Sequence, residues 1–163
     1  MKTRLAVANA GPLIALAGIG ELRVLPGLFE RVLVPDAVMR EVTEAGLERP
    51  GARAVREATF LERRAVDPGP EPLLASELGP GEAAVIALAH RLGAEFALLD
   101  ERRARRTAER AYGLRVRGSA GLLVAAKRAG LVAAVRPLLE AMIRNGYFVS
   151  MGVVERACRE AGE

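Results

Sequence analysis

Short apolar runs, cut by glycine and proline, alternate along this chain with stretches of helical period. Leu5, Ala6, Val7 and Ala8 predict a buried strand, broken by Asn9-Ala10-Gly11-Pro12. Leu13, Ile14 and Leu16 begin a helix with Pro12 near its first position, and Gly18 and Gly20 mark its end. Residues 21–29 predict a second short helix, interrupted at Pro26. Residues 31–34 form a second strand, stopped by Pro35, which opens a helix running to about Ala45. Residues 50–58 read as a polar helix or loop. Residues 60–66 read as a third strand, whose Glu62, Arg63 and Arg64 suggest a sheet edge. Residues 67–72, DPGPEP, are a loop.

The stretch 78–106, LGPGEAAVIALAHRLGAEFALLDERRARR, is the most informative. Gly79 and Pro80 open a long helix, and residues 96–99 form a short buried strand that Asp100 ends. A residue advances about 100° around a helix. Glu82 therefore shares its side with Ile86 and Ala89, on the inward stripe. A helix runs from about Glu101 to Ala111, Gly113 ends it, and residues 114–116 form a last strand. An apolar helix follows over 118–129. Val135, Leu138, Leu139 and Met142 then keep helical spacing, and Ser150 caps a final helix with Val154, Ala157, Cys158 and Ala161 on its apolar side. Strands alternating with helices indicate a parallel sheet covered on both faces, with sites beyond the carboxyl ends of the strands at a topological switch point.

Composition narrows the function classes. A chain of 163 residues that is 51% hydrophobic suits one domain, 1–163, with 131–163 as a helical extension packed on it. No apolar run is long enough to span a bilayer, so no membrane role is expected. Cys158 is alone, which excludes an internal disulfide and a cysteine zinc cluster and suggests a cytoplasmic protein. The net charge is +4 and almost all the cations are arginine, which suits a phosphate-bearing partner. With no tryptophan and 4% aromatics, no stacking platform for single strands is evident.

Asn9, Glu41, Glu82 and Asp100 are the candidate site. All four offer hard oxygen ligands, the donors that suit Mg²⁺ or Mn²⁺. His90 has no histidine partner and reads as a helix-flank residue. Each acid also has a plainer explanation. Glu82 can be a first-turn glutamate favoured by the helix dipole. Glu41 can be a partly exposed side chain whose stem covers the core edge. Arg102, Arg103, Arg105 and Arg106 can grip phosphates beside the site, or can be a solvated face pairing locally, Glu101 with Arg105 and Arg105 with Glu109.

The ordered set VANAGPLIAL at 7–16, VPDAVMREV at 34–42, LGPGEAAVIALA at 78–89, LLDERRARR at 98–106 and GSAGLLVAAKRAGL at 118–131 resembles the PIN-domain nucleases, in particular the VapC-like branch. The resemblance implies a three-layer α-β-α fold with a five-stranded parallel sheet in order 3-2-1-4-5 and extra C-terminal helices. It implies Mg²⁺- or Mn²⁺-dependent cleavage of RNA by an endoribonuclease. The family's first-strand aspartate falls on Asn9, its second acid on Glu41, its third on Glu82 and its fourth on Asp100. Glu41, Glu82 and Asp100 are then catalytic, and all four positions are metal ligands. Ser119 is a minor polar contributor. Where the family often has serine or threonine two residues after the first acid, this chain has Gly11. The resemblance also implies the toxin half of a toxin–antitoxin pair, an antitoxin protein as partner, and a homodimer. Asparagine carries no formal charge, so the alternative is a non-catalytic PIN-like protein that binds RNA or a protein partner through a weakened metal site. A small-molecule phosphohydrolase ranks below both, because Asn9 cannot form an acyl phosphate.

Overall fold

The computed structural model describes residues 3–44 and 49–163. The chain opens with β1 (Thr3–Ala8), followed by α1 (Ala10–Gly18) and α2 (Val24–Leu28). β2 (Phe29–Pro35), α3 (Asp36–Glu44), α4 (Ala52–Glu57) and β3 (Leu61–Arg64) complete the first half. The second half runs α5 (Pro72–Glu77), α6 (Pro80–Leu92), β4 (Phe96–Leu98), α7 (Arg102–Tyr112), β5 (Val116–Arg117) and α8 (Ser119–Arg128), then α9 (Arg136–Arg144) and α10 (Met151–Glu160).

The strands pair in parallel in the order β3-β2-β1-β4-β5. Ala6, Val7 and Ala8 of the central strand are all fully buried. Successive strand residues point to opposite faces, so both faces of the sheet are covered. The charged edge expected of β3 is there: Glu62 takes a two-point ion pair from Arg31 of the neighbouring strand, at 2.9 and 3.0 Å. Among the described residues no helix is long and apolar enough to cross a membrane.

Several boundaries differ from expectation for local reasons. Pro35 is the last residue of β2, and the helix starts at Asp36. The expected end of that helix at Ala45 lies outside the described residues. Pro26 sits within the first turn of α2, where its missing N–H is harmless, so it does not interrupt the helix. Pro12 is the third residue of α1, which begins at Ala10. α5 was not foreseen; Pro72 starts it and Leu74 is its buried anchor. β5 is shifted to Val116–Arg117, because the Leu114 amide turns back to the Ala108 carbonyl at 3.0 Å and finishes α7.

Register fixes where the site can be. Ala8 pairs with Leu98, and Leu98 with Arg117. Asn9, Asp100 and Ser119 therefore leave the sheet at the same end. The chain proceeds outward from β1 through β2 and β3, then crosses back to β4 on the other side of β1. That reversal is the switch point, with Asn9 and Asp100 on either side of it.

Candidate functional site

Asn9 precedes α1 at the N-cap position, yet its side chain makes no cap hydrogen bond. A capping oxygen would accept from the second or third amide of the helix. The third residue is Pro12, which has no N–H to give. Among the described residues, Asn9 Oδ1 is buried with no hydrogen-bond partner. An unpartnered buried acceptor costs about 1–3 kcal/mol, and this oxygen has lone pairs open to a donor or a cation.

Glu41 reaches the same place from α3. The residue as a whole is exposed, as the plainer explanation had it. Its Oε1, however, turns back to accept from Gly81 N at 3.0 Å, at the entrance of α6. Gly81 makes this approach possible. A side-chain carbon there would overlap Glu41 Oε1 and lie 3.1 Å from Asn9 Oδ1. Two oxygens from two different elements thus converge on the first turn of α6.

Glu82, the next residue, is half-buried. Burial raises its carboxyl to about 7, helped by the charge and hydrogen bond of Glu101 and by the charge of Glu41. Glu101 is held the other way. Burial would raise it too, but the amides of Arg103 and Ala104, at 2.9 and 2.8 Å, outweigh that and lower it. Of the pair, Glu82 is therefore the one that holds a proton the more tightly.

Asp100 faces the N-terminus of α8. Ser119 N donates to its Oδ1 at 2.7 Å, and the hydroxyls of Ser119 and Tyr147 both donate to Oδ2. Burial and the Asp100 charge push the Tyr147 phenol far above its ordinary value, so it stays a donor. Gly118 leaves room here as well: a side-chain carbon would lie 2.7 Å from Asp100 Oδ1 and 2.6 Å from Arg105 Nη1.

Asn9 and Glu41 are thus brought together, Glu82 stands beside Glu41, and Asp100 is turned toward Ser119 and Tyr147. Among the described residues no three acidic, histidine or cysteine side chains converge as a finished cation cage. The donor chemistry still suits a hard divalent cation. One orphaned amide oxygen and nearby carboxylates match an ion that keeps several of its waters. Arg102, Arg103 and Arg106 are exposed along α7, whereas Arg105 is half-buried beside Gly118. Neither expected local pair forms among the described residues: Glu101 caps its own helix instead. His90 packs edge-on against Tyr112.

Glu101 and Tyr147 were not foreseen. Glu101 carries a weak signal, since a negative charge at the start of a helix is favoured by the helix dipole. Tyr147 carries almost none beyond being one of two tyrosines.

A doubly crossed parallel sheet with oxygen donors gathered at its switch point defines an α/β protein whose chemistry belongs at the carboxyl ends of β1 and β4. Residues 5–163 match the DUF3368 family, described as a PIN domain. The chain belongs to the PIN-domain family, whose fold is of nuclease type and whose members generally use divalent metals. No curated protein and no solved structure matches it.

Proposed function

We propose that this protein is a Mg²⁺- or Mn²⁺-dependent endoribonuclease whose site is built from Asn9, Glu41, Glu82 and Asp100. The observation that carries the reading is the buried, unpartnered Asn9 Oδ1 beside the Glu41 carboxylate at the switch point. Asn9, Glu41 and Asp100 would hold the cation, which when bound supplies water activation and neutralises charge on a phosphodiester. Glu82 holds a proton at a carboxyl poised near 7, the range in which one group can both give and take it. Ser119 orients Asp100 through its amide and hydroxyl. Arg102, Arg103, Arg105 and Arg106 supply the positive surface that draws an RNA backbone alongside, an attraction that weakens with salt. The motif resemblance further supports a toxin component restrained by an antitoxin protein and acting as a homodimer, and the lone Cys158 supports a cytoplasmic location.

The neutral Asn9 favours a second reading, an RNA- or protein-binding PIN domain without turnover. Mn²⁺-stimulated cleavage of a mixed-sequence RNA by wild type, abolished in Asp100→Asn, supports the nuclease. Salt-sensitive RNA retention without cleavage, whatever the metal, supports the binding protein and refutes the nuclease.

A further inference from the structure

The Tyr147 hydroxyl ties the segment between α9 and α10 to the candidate site. That segment is held at its first residue and at Tyr147 itself. Asn145 Nδ2 donates to the Gly18 carbonyl at 2.8 Å, and Tyr147 N to the Met142 carbonyl at 3.0 Å. The ring is partly buried against the core, and its hydroxyl donates to Asp100 Oδ2. The opening through which it enters is left by Gly11. A side-chain carbon at residue 11 would lie 2.9 Å from the phenol oxygen and 3.8 Å from Asp100 Oδ2. The phenol therefore occupies space that a side chain on α1 would otherwise fill.

We propose that Tyr147 is a positioning residue for Asp100, delivering from the C-terminal segment a hydroxyl that the first turn of α1 does not carry. Asp100 then has both oxygens engaged, Oδ1 by the Ser119 amide and Oδ2 by two hydroxyls. These three donors set the plane of the carboxylate and leave a free lone pair on Oδ1. Groups that hold a metal-ligating carboxylate in place are typically worth 10–100-fold in metal affinity. The inference rests on the reading of Asp100 as a metal ligand.

The test is Mn²⁺ affinity, measured by electron paramagnetic resonance on wild type, Tyr147→Phe, Gly11→Ser and the double variant. Tyr147→Phe keeps the ring, so its melting temperature should stay close to that of wild type while Mn²⁺ binding weakens by about 10-fold. Gly11→Ser alone should also weaken binding, because its new carbon crowds the phenol. In the double variant the serine hydroxyl can reach Asp100, so binding should recover towards wild type. That reversal of sign is not expected of a merely structural tyrosine. Equal binding by wild type and Tyr147→Phe overturns the inference and leaves the metal reading standing. Tighter binding by Tyr147→Phe also overturns it, since the phenol is then a competitor of the cation. Absence of Mn²⁺ binding by wild type overturns both.

Discussion

Replacing Glu82 by glutamine should stabilise the protein at alkaline pH and leave it unchanged at acidic pH. The side chain is half-buried beside Glu101 and Glu41, and its carboxyl is raised from 4.5 to about 7. The folded state therefore binds a proton more tightly than the unfolded chain. Stability must fall as pH rises from about 4.5 to about 7, with no penalty below that window and the full penalty above it. A fully shielded group held at about 7 would cost on the order of 3 kcal/mol at pH 8. Glu82 is only half-buried, and solvent screening reduces the figure to about 1–2 kcal/mol. Glutamine mimics the protonated acid, since its Nε2 can donate to Glu101. For a domain of this size each kcal/mol is worth about 2–4 °C. Thermal melts in EDTA should therefore show Glu82→Gln a few degrees more stable than wild type at pH 8, with the difference vanishing at pH 4. A difference that is independent of pH, or a loss at pH 8, would refute the reasoning.

Asn9→Asp should add a charge beside Glu41 and strengthen Mn²⁺ binding measured calorimetrically, while lowering the melting temperature in EDTA because a buried carboxylate then faces another without a cation. Gly81→Ala should displace the Glu41 carboxylate, remove its hydrogen bond from Gly81 N, and cost about 1 kcal/mol in urea unfolding. Glu163 accepts from the amides of Val135 and Arg136, at 2.6 and 3.1 Å, and from Lys127; the Val135 amide leads in lowering its carboxyl to about 2. Its stabilising contribution is complete above about pH 4.5 and lost as pH falls towards 2. Glu163→Gln should accordingly lower the melting temperature at pH 7 and have little effect near pH 2.

The inner strands were legible because they are short apolar runs with clear stops, Asn9 after Ala8 and Asp100 after Leu99, whereas the edge strands LERR and VR carry little apolar signal. Strand–helix alternation indicates a parallel sheet, and the motif resemblance implies the order 3-2-1-4-5 that the pairing shows. Helical period correctly placed Glu82 near the buried side of α6, since Ile86 and Ala89 are fully buried. Periodicity is blind to rotamers, however. It cannot show that the exposed Glu41 folds its carboxylate back onto the Gly81 amide. Contacts between distant parts of the chain were invisible for a similar reason. Tyr147 meets Asp100 across 47 residues, through a gap that exists only because residue 11 is glycine. The pairing of Glu101 with Glu82 is equally hidden, because like charges advertise no pairing.

The central claim is that Asn9, Glu41 and Asp100 together hold a divalent cation. Anomalous diffraction from crystals grown with Mn²⁺ tests it most directly. A single strong peak is expected, bonded to Asn9 Oδ1 and to the Glu41 and Asp100 carboxylates. A site where Asn9 Oδ1 binds only water, with Mn²⁺ elsewhere or nowhere, would contradict it.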